Sequence, residues 1–205
     1  MILKENHNAP LLNGLVLAGG KSSRMGTDKD LIKWQGKEQR YYAADMLEKF
    51  CEEVFISCRL EQEKDLDASY KTLPDTFLNI GPYGGILSAL HSQKDKAWLV
   101  IACDFPLLDE KTIKFLIAHR DTQRIATTYE SPFDGLPEPL ITIWEPKSYS
   151  VLLEFLDKGI SSPRKVLINN NTLILKSENP KALMNVNTPE DAEKVREILK
   201  SSTTC

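Results

Sequence analysis

A run of six apolar residues, Ala-Trp-Leu-Val-Ile-Ala, occupies positions 97–102 without a polar interruption. A strand with one face in water alternates apolar and polar residues, whereas a strand covered on both faces has no need of polar positions. We therefore predict that residues 97–102 form a strand inside a sheet with helices on both sides. Strands covered in this way are typical of mostly parallel sheets.

The rest of the chain alternates between strand-like and helix-like segments. Short apolar runs predict strands at 14–18, 52–57, 70–73, 124–129 and 139–144. Apolar residues at helical spacing predict helices at 37–50, from Pro82 onward, at 110–120 and at 147–157. A last helix has Thr188 as its cap, Pro189 in its first turn and Asp191 where a capping box places an acid. This alternation predicts an α/β fold of three layers, with helices on both faces of a mostly parallel central sheet.

Charge and apolar patterning exclude several kinds of partner. The net charge of −3 gives no basic excess for binding nucleic acid or an anionic membrane. The apolar runs are far shorter than the roughly 20 residues that span a bilayer, and residues 1–12 lack the apolar core of a signal peptide. We predict a flexible lead-in over residues 1–12 and one domain over 13–200. The cysteines have no metal or disulfide spacing, which favours a reduced, cytoplasmic location.

A glycine-rich loop follows the first predicted strand, in the stretch LVLAGGKSSRMGTDK at residues 15–29. Its spacing matches neither G-x-x-x-x-G-K-[ST] nor G-x-G-x-x-G, the two common phosphate-binding patterns. The loop still suits an anion, because glycine lets backbone N–H groups approach closely while Arg24 and Lys29 supply positive charge. Taken alone, an ordinary glycine-rich turn with solvated basic side chains explains these residues equally well.

Four motifs resemble those of one family and occur in that family's order. They are LAGGKSSRMGTDK at 17–29, GPYGGI at 81–86, CDFP at 103–106 and NVNTPED at 185–191. The second motif has Tyr83 where leucine is usual. The family is that of the molybdenum cofactor guanylyltransferases, which are nucleotidyltransferases with a Rossmann-like fold. The resemblance implies that residues 13–200 form a single nucleotidyltransferase domain. It also implies transfer of GMP from GTP to molybdopterin, with release of pyrophosphate and with Mg²⁺ as cofactor.

The same resemblance implies roles for individual residues. Arg24, Lys29 and Asp104 would serve catalysis, and Asp75 would accept the two adjacent N–H donors of guanine. Asp104 directly follows the buried strand, at the edge where open α/β sheets bind ligands, and Mg²⁺ prefers oxygen ligands there. Asn187 would be a second ligand of the metal. The implied nucleotide-binding residues are Leu17, Ala18, Gly19, Gly20, Lys29, Asp75, Gly81 and Asp104.

Ordinary structural roles stay open for several of these residues. Asp75 and Asp104 also suit polar turns, and Asn187 also suits a residue that satisfies backbone donors near a helix start. Arg164 and Lys165 are candidates for binding the acceptor phosphate, but a solvated helix start explains them better.

Two alternatives to guanylyl transfer stay open. One is a related enzyme that uses another nucleotide, such as CTP, or another phosphate acceptor. LAGG, with two glycines rather than the LAAG of cytidylyl relatives, favours GTP. The other is a nucleotide-binding module without catalysis, for which we would expect loss of Arg24, Lys29, Asp104 or Asn187, and all four are present. Asparagine is common in the family after the second strand, whereas Ser57 and Arg59 occupy that region here, so the resemblance assigns no base or ribose contact to it.

Overall fold

A seven-stranded sheet organises residues 9–18 and 29–202, which are the residues that the computed structural model describes. The strands are β1 (Leu12–Leu17), β2 (Val54–Cys58), β3 (Lys71–Pro74), β4 (Ala97–Ala102), β5 (Ala126–Glu130), β6 (Pro137–Trp144) and β7 (Thr172–Leu175). The helices are α1 (Gln39–Leu47), α2 (Pro82–Ser92), α3 (Glu110–Ala118), α4 (Ser148–Asp157), α5 (Pro163–Ile168) and α6 (Pro189–Ser202). Short 3₁₀ helices occupy Lys29–Leu31, Leu60–Asp65 and Pro180–Leu183.

The strand order is β3-β2-β1-β4-β6-β5-β7. Strands β3, β2, β1 and β4 run parallel to one another, and β7 runs parallel to β5. Strand β6 is antiparallel to both of its neighbours, β4 and β5. The sheet is therefore mixed but mostly parallel, which confirms the predicted α/β class.

The two faces of β4 pack into two different hydrophobic clusters. Leu99 and Ile101 join the cluster that contains residues of α1 and α3. Trp98 and Val100 join the cluster that contains residues of α2, α4 and α5. All six residues of β4 are buried, so the uninterrupted apolar run reflects a strand with helices on both sides, as the sequence predicts.

The predicted strands and helices are present, with ends that differ by three residues or fewer. The sequence analysis does not predict β7, an edge strand of four residues whose side chains are only partly buried. Such a short strand with an incomplete apolar face carries little periodic signal. Among the described residues, none of the helices has the length and apolarity that a membrane span requires.

Candidate functional site

The carboxyl ends of four parallel strands meet at one edge of the sheet, and several of the predicted site residues lie there. In the strand register Leu17 of β1 is beside Ser57 of β2 on one side and Ala102 of β4 on the other. Asp75 directly follows β3, and Asp104 lies two residues after β4. Open α/β sheets bind their ligands at this edge.

Backbone hydrogen bonds continue from strand to strand beyond the regular ladder. The N–H of Asp75 donates to the carbonyl of Cys58 over 2.8 Å. The N–H of Ala18 donates to the carbonyl of Ser57 over 3.4 Å. The segment after β3 is therefore fixed to the end of β2, and the start of the glycine-rich loop is fixed to the same strand from its other side.

The β4 side of the edge is joined in the same way. The N–H of Cys103 donates to the carbonyl of Leu17 over 3.4 Å, and the N–H of Val186 donates to the carbonyl of Asp104 over 2.7 Å. Asn187 directly follows Val186, so the backbone that carries Asn187 is held beside Asp104. The two residues predicted to bind a metal thus belong to backbone segments in direct contact, although they are far apart in sequence.

Asp75 is held by a serine that the sequence analysis leaves without a role. The hydroxyl of Ser57 donates to Oδ1 of Asp75 over 2.7 Å, and Ser57 is only 2% exposed. Burial raises the pKa of Asp75 above its usual value, and the Ser57 hydrogen bond opposes that rise. The departure from the family's asparagine was the one signal in the sequence that could have drawn attention to Ser57.

Helix α2 supports the Asp75 side of the site through its Gly-Pro-Tyr-Gly-Gly start. Gly81 precedes the helix with φ of +60°, a left-handed conformation that glycine adopts without strain, and Pro82 occupies the first turn. A Cβ at Gly85 would lie 2.6 Å from Cδ2 of Leu17, 2.8 Å from Oγ of Ser57 and 3.5 Å from Oδ1 of Asp75. Glycine at position 85 therefore lets the helix pack directly against the ends of β1 and β2.

Tyr83 replaces the leucine that is usual in the family's version of this motif. Its side chain is completely buried, and its hydroxyl donates to the carbonyl of Leu152 over 2.6 Å. Because Leu152 belongs to α4, the extra hydroxyl links the two helices and is satisfied inside the protein. The departure from the family pattern thus has a structural explanation away from the site.

The start of α6 is capped as the sequence predicts. Oδ2 of Asp191 accepts the N–H of Asn187 over 3.1 Å and that of Thr188 over 3.0 Å. Oγ1 of Thr188 accepts the N–H of Asp191 over 3.2 Å. This reciprocal arrangement is a capping box, and it means that Asp191, rather than the Asn187 side chain, satisfies these two donors.

A buried acidic residue adjoins the Asp104 side of the edge. Because β6 is antiparallel to β4, the start of β6, which contains Glu138, lies at the carboxyl end of β4. Glu138 is only 6% exposed. Burial raises the pKa of Glu138, the Leu140 N–H and the Arg164 charge oppose the rise, and the negative charge of Asp104 adds to it. Glu138 directly precedes the predicted strand 139–144, and a charged residue beside that apolar run was the sequence signal for this position.

Arg164 lies in the first turn of α5, and its side chain is paired rather than solvated. Its Nη1 lies 2.8 Å from Oδ2 of Asp134, and its Nη2 lies 3.3 Å from Oε2 of Glu138. The interpretation of Arg164 as a solvated residue at a helix start is therefore wrong. The two carboxylates come from the turn before β6 and from β6 itself, a proximity that the sequence gives no means of predicting.

The donors near Asp104 fit a hard divalent cation. Asp104 and Asn187 offer a carboxylate and an amide oxygen, the ligand types that Mg²⁺ prefers, and Mg²⁺ usually takes only one or two carboxylates from a protein. Within residues 9–18 and 29–202, no group of three or more His, Cys, Asp or Glu residues could hold a metal.

Other residues predicted for the site cannot be compared with the structure. Gly19, Gly20, Arg24 and the side chain of Lys29 lie outside the described residues. Leu17 and Ala18 lie at the base of the glycine-rich loop, and Ala18 is 8% exposed.

A solved structure has the same fold as this chain. Molybdopterin-guanine dinucleotide biosynthesis protein A from Archaeoglobus fulgidus is similar with a TM-score of 0.77 at 22% sequence identity, over 92% of this chain and 99% of that one. At this level of identity the likeness shows the fold. The shared fold is a mostly parallel α/β sheet, and open sheets of this kind bind ligands at the carboxyl ends of their strands.

Sequence comparison gives the family. The MobA-like NTP transferase domain matches residues 14–173, and the chain belongs to this family of nucleotidyltransferases. The molybdenum cofactor biosynthesis bifunctional protein of Synechocystis is 38% identical over 88% of this chain and 52% of its own length, so this chain spans about half of that relative. The molybdenum cofactor guanylyltransferase of Shewanella sediminis is 27% identical over 92% of this chain and 97% of its own length.

Proposed function

We propose that this protein transfers GMP from GTP to molybdopterin, forming the guanine dinucleotide cofactor and releasing pyrophosphate. The main support is the arrangement of the carboxyl edge, where Asp75, the base of the glycine-rich loop at Ala18, and Asp104 follow the ends of β3, β1 and β4 in the order of the sheet, with β2 between the first two. Relatives named molybdenum cofactor guanylyltransferase support the choice of nucleotide and acceptor.

The guanine base would bind at Asp75. Guanine presents N1–H and the N2 amino group side by side, and one carboxylate can accept both. The Ser57 hydroxyl already occupies part of Oδ1, but each carboxylate oxygen can accept more than one hydrogen bond. Cytosine and uracil lack this pair of donors, so an ionised Asp75 would select against them.

The phosphates would lie along the glycine-rich loop. Gly19 and Gly20 would let backbone N–H groups approach the phosphates, and Arg24 and Lys29 would neutralise charge on the departing pyrophosphate. Leu17, Ala18 and Gly81 would line the nucleotide site on either side. Nucleotidylyl transfer needs little covalent chemistry from the protein, so positioning and charge neutralisation account for most of the expected catalysis.

Asp104 and Asn187 would hold the Mg²⁺ ion. Bound there, Mg²⁺ would neutralise phosphate charge and favour attack by the acceptor phosphate. Asp104 would keep its carboxylate at the phosphates because its backbone is fixed on one side through the neighbouring Cys103 and on the other through Val186. On this proposal Asp75, at the end of β3, binds the base, and Asp104, after the end of β4, lies beside the phosphates.

The setting of the enzyme completes the proposal. We infer that residues 13–200 act as one nucleotidyltransferase domain in a reduced, cytoplasmic environment, with GTP and molybdopterin as its partners. Free thiols at Cys51, Cys58 and Cys103 agree with a reducing compartment.

The deciding experiment measures pyrophosphate release from GTP, CTP, ATP and UTP with Mg²⁺, each with and without molybdopterin. We expect release that requires molybdopterin and strongly favours GTP. Preference for CTP would identify the cytidylyl alternative, and release that is independent of molybdopterin would indicate another acceptor. Nucleotide binding without any turnover would indicate the non-catalytic alternative and would overturn the proposal.

A further inference from the structure

Ser57 makes hydrogen bonds to two parts of the carboxyl edge, Asp75 and Ala18. Its hydroxyl donates to Oδ1 of Asp75 over 2.7 Å, and its carbonyl accepts the N–H of Ala18 over 3.4 Å. Among the described residues, its hydroxyl is the side-chain group that hydrogen-bonds the Asp75 carboxylate. One residue therefore contacts the acid proposed to bind guanine and the start of the loop proposed to bind phosphate.

The packing around Ser57 restricts the direction in which its hydroxyl can point. The side chain is 2% exposed, and its strand lies between β1 and β3. Helix α2 covers it so closely that a Cβ at Gly85 would lie 2.8 Å from its Oγ. A hydroxyl enclosed in this way has few alternative rotamers, so its hydrogen bond to Asp75 is a fixed feature of the site.

We propose that Ser57 is a positioning residue that orients the Asp75 carboxylate for bidentate recognition of guanine and thereby sets nucleobase selectivity. The inference rests on the proposed function, because it assumes that Asp75 binds the base. Accepting two parallel N–H donors requires the carboxylate to lie nearly in the plane of the base. A hydrogen bond to one oxygen restrains rotation of the carboxylate about its Cβ–Cγ bond, and Ser57 supplies that restraint.

The same contact affects the charge of Asp75. The Ser57 hydroxyl stabilises the ionised carboxylate against the effect of burial. Without the hydroxyl, Asp75 would take up a proton at a higher pH and would rotate more freely. Both changes weaken contact with the guanine amino group, whereas the reacting phosphates would be unaffected.

The test compares kcat and KM for GTP and for inosine triphosphate (ITP), which keeps N1–H but lacks the amino group. In Ser57→Ala, we expect KM for GTP to rise about tenfold or more, as for a lost hydrogen bond to a charged group. We expect kcat to stay within about threefold, because the contact is equally strong in the ground state and the transition state. The ratio of kcat/KM for GTP to that for ITP should fall towards one. In a plot of kcat/KM for GTP against pH, the fall in activity on the acid side should move to higher pH.

Ser148→Ala is the matched control. Ser148 is also completely buried and donates to the carbonyl of Glu145 over 2.7 Å. It lies just beyond the end of β6, which pairs with the start of β4 at the opposite edge of the sheet. We expect this variant to lose a buried hydrogen bond while keeping the GTP-to-ITP ratio and the pH profile. Should Ser57→Ala fail to fold, Ser57→Cys takes its place with the same expected losses, because a thiol is a weak donor.

The variant Asp75→Ala distinguishes a failure of the Ser57 inference from a failure of the proposed base site. If Asp75→Ala erodes the preference for GTP, and Ser57→Ala added to it causes no further loss, Ser57 acts through Asp75. If Asp75→Ala erodes the preference while Ser57→Ala keeps the parent's ratio and pH profile, the inference about Ser57 is wrong and the proposed function stands. If Asp75→Ala leaves the preference intact, the assignment of the base site fails, and the inference fails with it.

Discussion

Gly84 and Gly85 are adjacent in α2, yet alanine at the two positions should have different effects. At Gly85 the new Cβ would lie 2.6 Å from Cδ2 of Leu17 and 2.8 Å from Oγ of Ser57. At Gly84 it would lie 2.1 Å from the backbone carbonyl oxygen of Phe77. Ordinary contact begins at about 3.4 Å, so the neighbours must move by roughly 0.6–0.8 Å in the first case and about 1.3 Å in the second.

These displacements set the expected size of each effect. Overpacking of a core lowers the free energy of unfolding by about 1–3 kcal/mol. The better helix propensity of alanine offsets up to about 1 kcal/mol of that loss. Each kcal/mol lowers Tm by about 2–4 °C in a protein of this size. Gly85→Ala meets side chains that can yield, so we expect a net loss of about 0–2 kcal/mol and a fall in Tm of less than about 8 °C. Gly84→Ala meets a backbone carbonyl, so its net loss should be at least about 2 kcal/mol.

For KM the order should be reversed, with Gly85→Ala more affected than Gly84→Ala. Gly85→Ala displaces Ser57 and Leu17 beside Asp75, and we expect its KM for GTP to rise about tenfold through loss of the Ser57 contact. Gly84→Ala, assayed well below its Tm, should keep a KM closer to that of the parent. Thermal melts followed by circular dichroism, together with steady-state kinetics for GTP, measure both quantities. A Gly85→Ala variant with the parent's KM, or a Gly84→Ala variant with the parent's Tm, would refute the packing argument.

Three further predictions concern charge in the site. Arg24→Ala and Lys29→Ala should each lower kcat by about 10²–10³ with a smaller effect on GTP binding; turnover within a few-fold of the parent would remove the residue from the catalytic group. Asp104→Asn should lose Mg²⁺ affinity and turnover while its melt stays cooperative; normal activity at low Mg²⁺ would exclude Asp104 as a ligand. Burial raises the pKa of Asp75 above the ordinary value of 3.8, so the folded state binds this proton more tightly than the unfolded state and ionisation costs stability at higher pH. Asp75→Asn should therefore raise Tm at pH 7, with a gain that shrinks as the pH falls towards about 4; equal melting temperatures at pH 7 would contradict the assigned burial cost.

Local features of the fold were predictable because their causes are local. The apolar run 97–102 indicates a strand covered on both faces, and β4 has that environment. The Thr-Pro-Glu-Asp sequence at 188–191 predicts a capping box, and Thr188 and Asp191 form one. Both features depend on a few consecutive residues, so propensity and hydrogen-bonding capacity were sufficient.

Features that depend on distant segments were not predictable from one sequence. The apolar pattern of β6 is the same for either strand direction, and its antiparallel pairing with β4 and β5 depends on connections elsewhere. Glu138 meets Arg164 only because α5 returns to β6. Ser57 belongs to β2 and Asp75 directly follows β3, and no fixed spacing in the sequence relates the residues at two strand ends. The resemblance to a family predicted a role for Asp75, but the contact between Ser57 and Asp75 could be found only in the folded structure.

The hydrogen bond between Val186 and Asp104 has a consequence for synthesis of the protein on the ribosome. A nascent chain emerges from its amino terminus, so the glycine-rich loop, Asp75 and Asp104 are all exposed long before residues 186 and 187. Until then Asp104 lacks its 2.7 Å backbone contact with Val186, and Asn187 is still inside the ribosome. On the proposed assignment, one of the two side chains that would hold the metal is therefore added only when nearly the whole chain has been made, so the metal site is completed last.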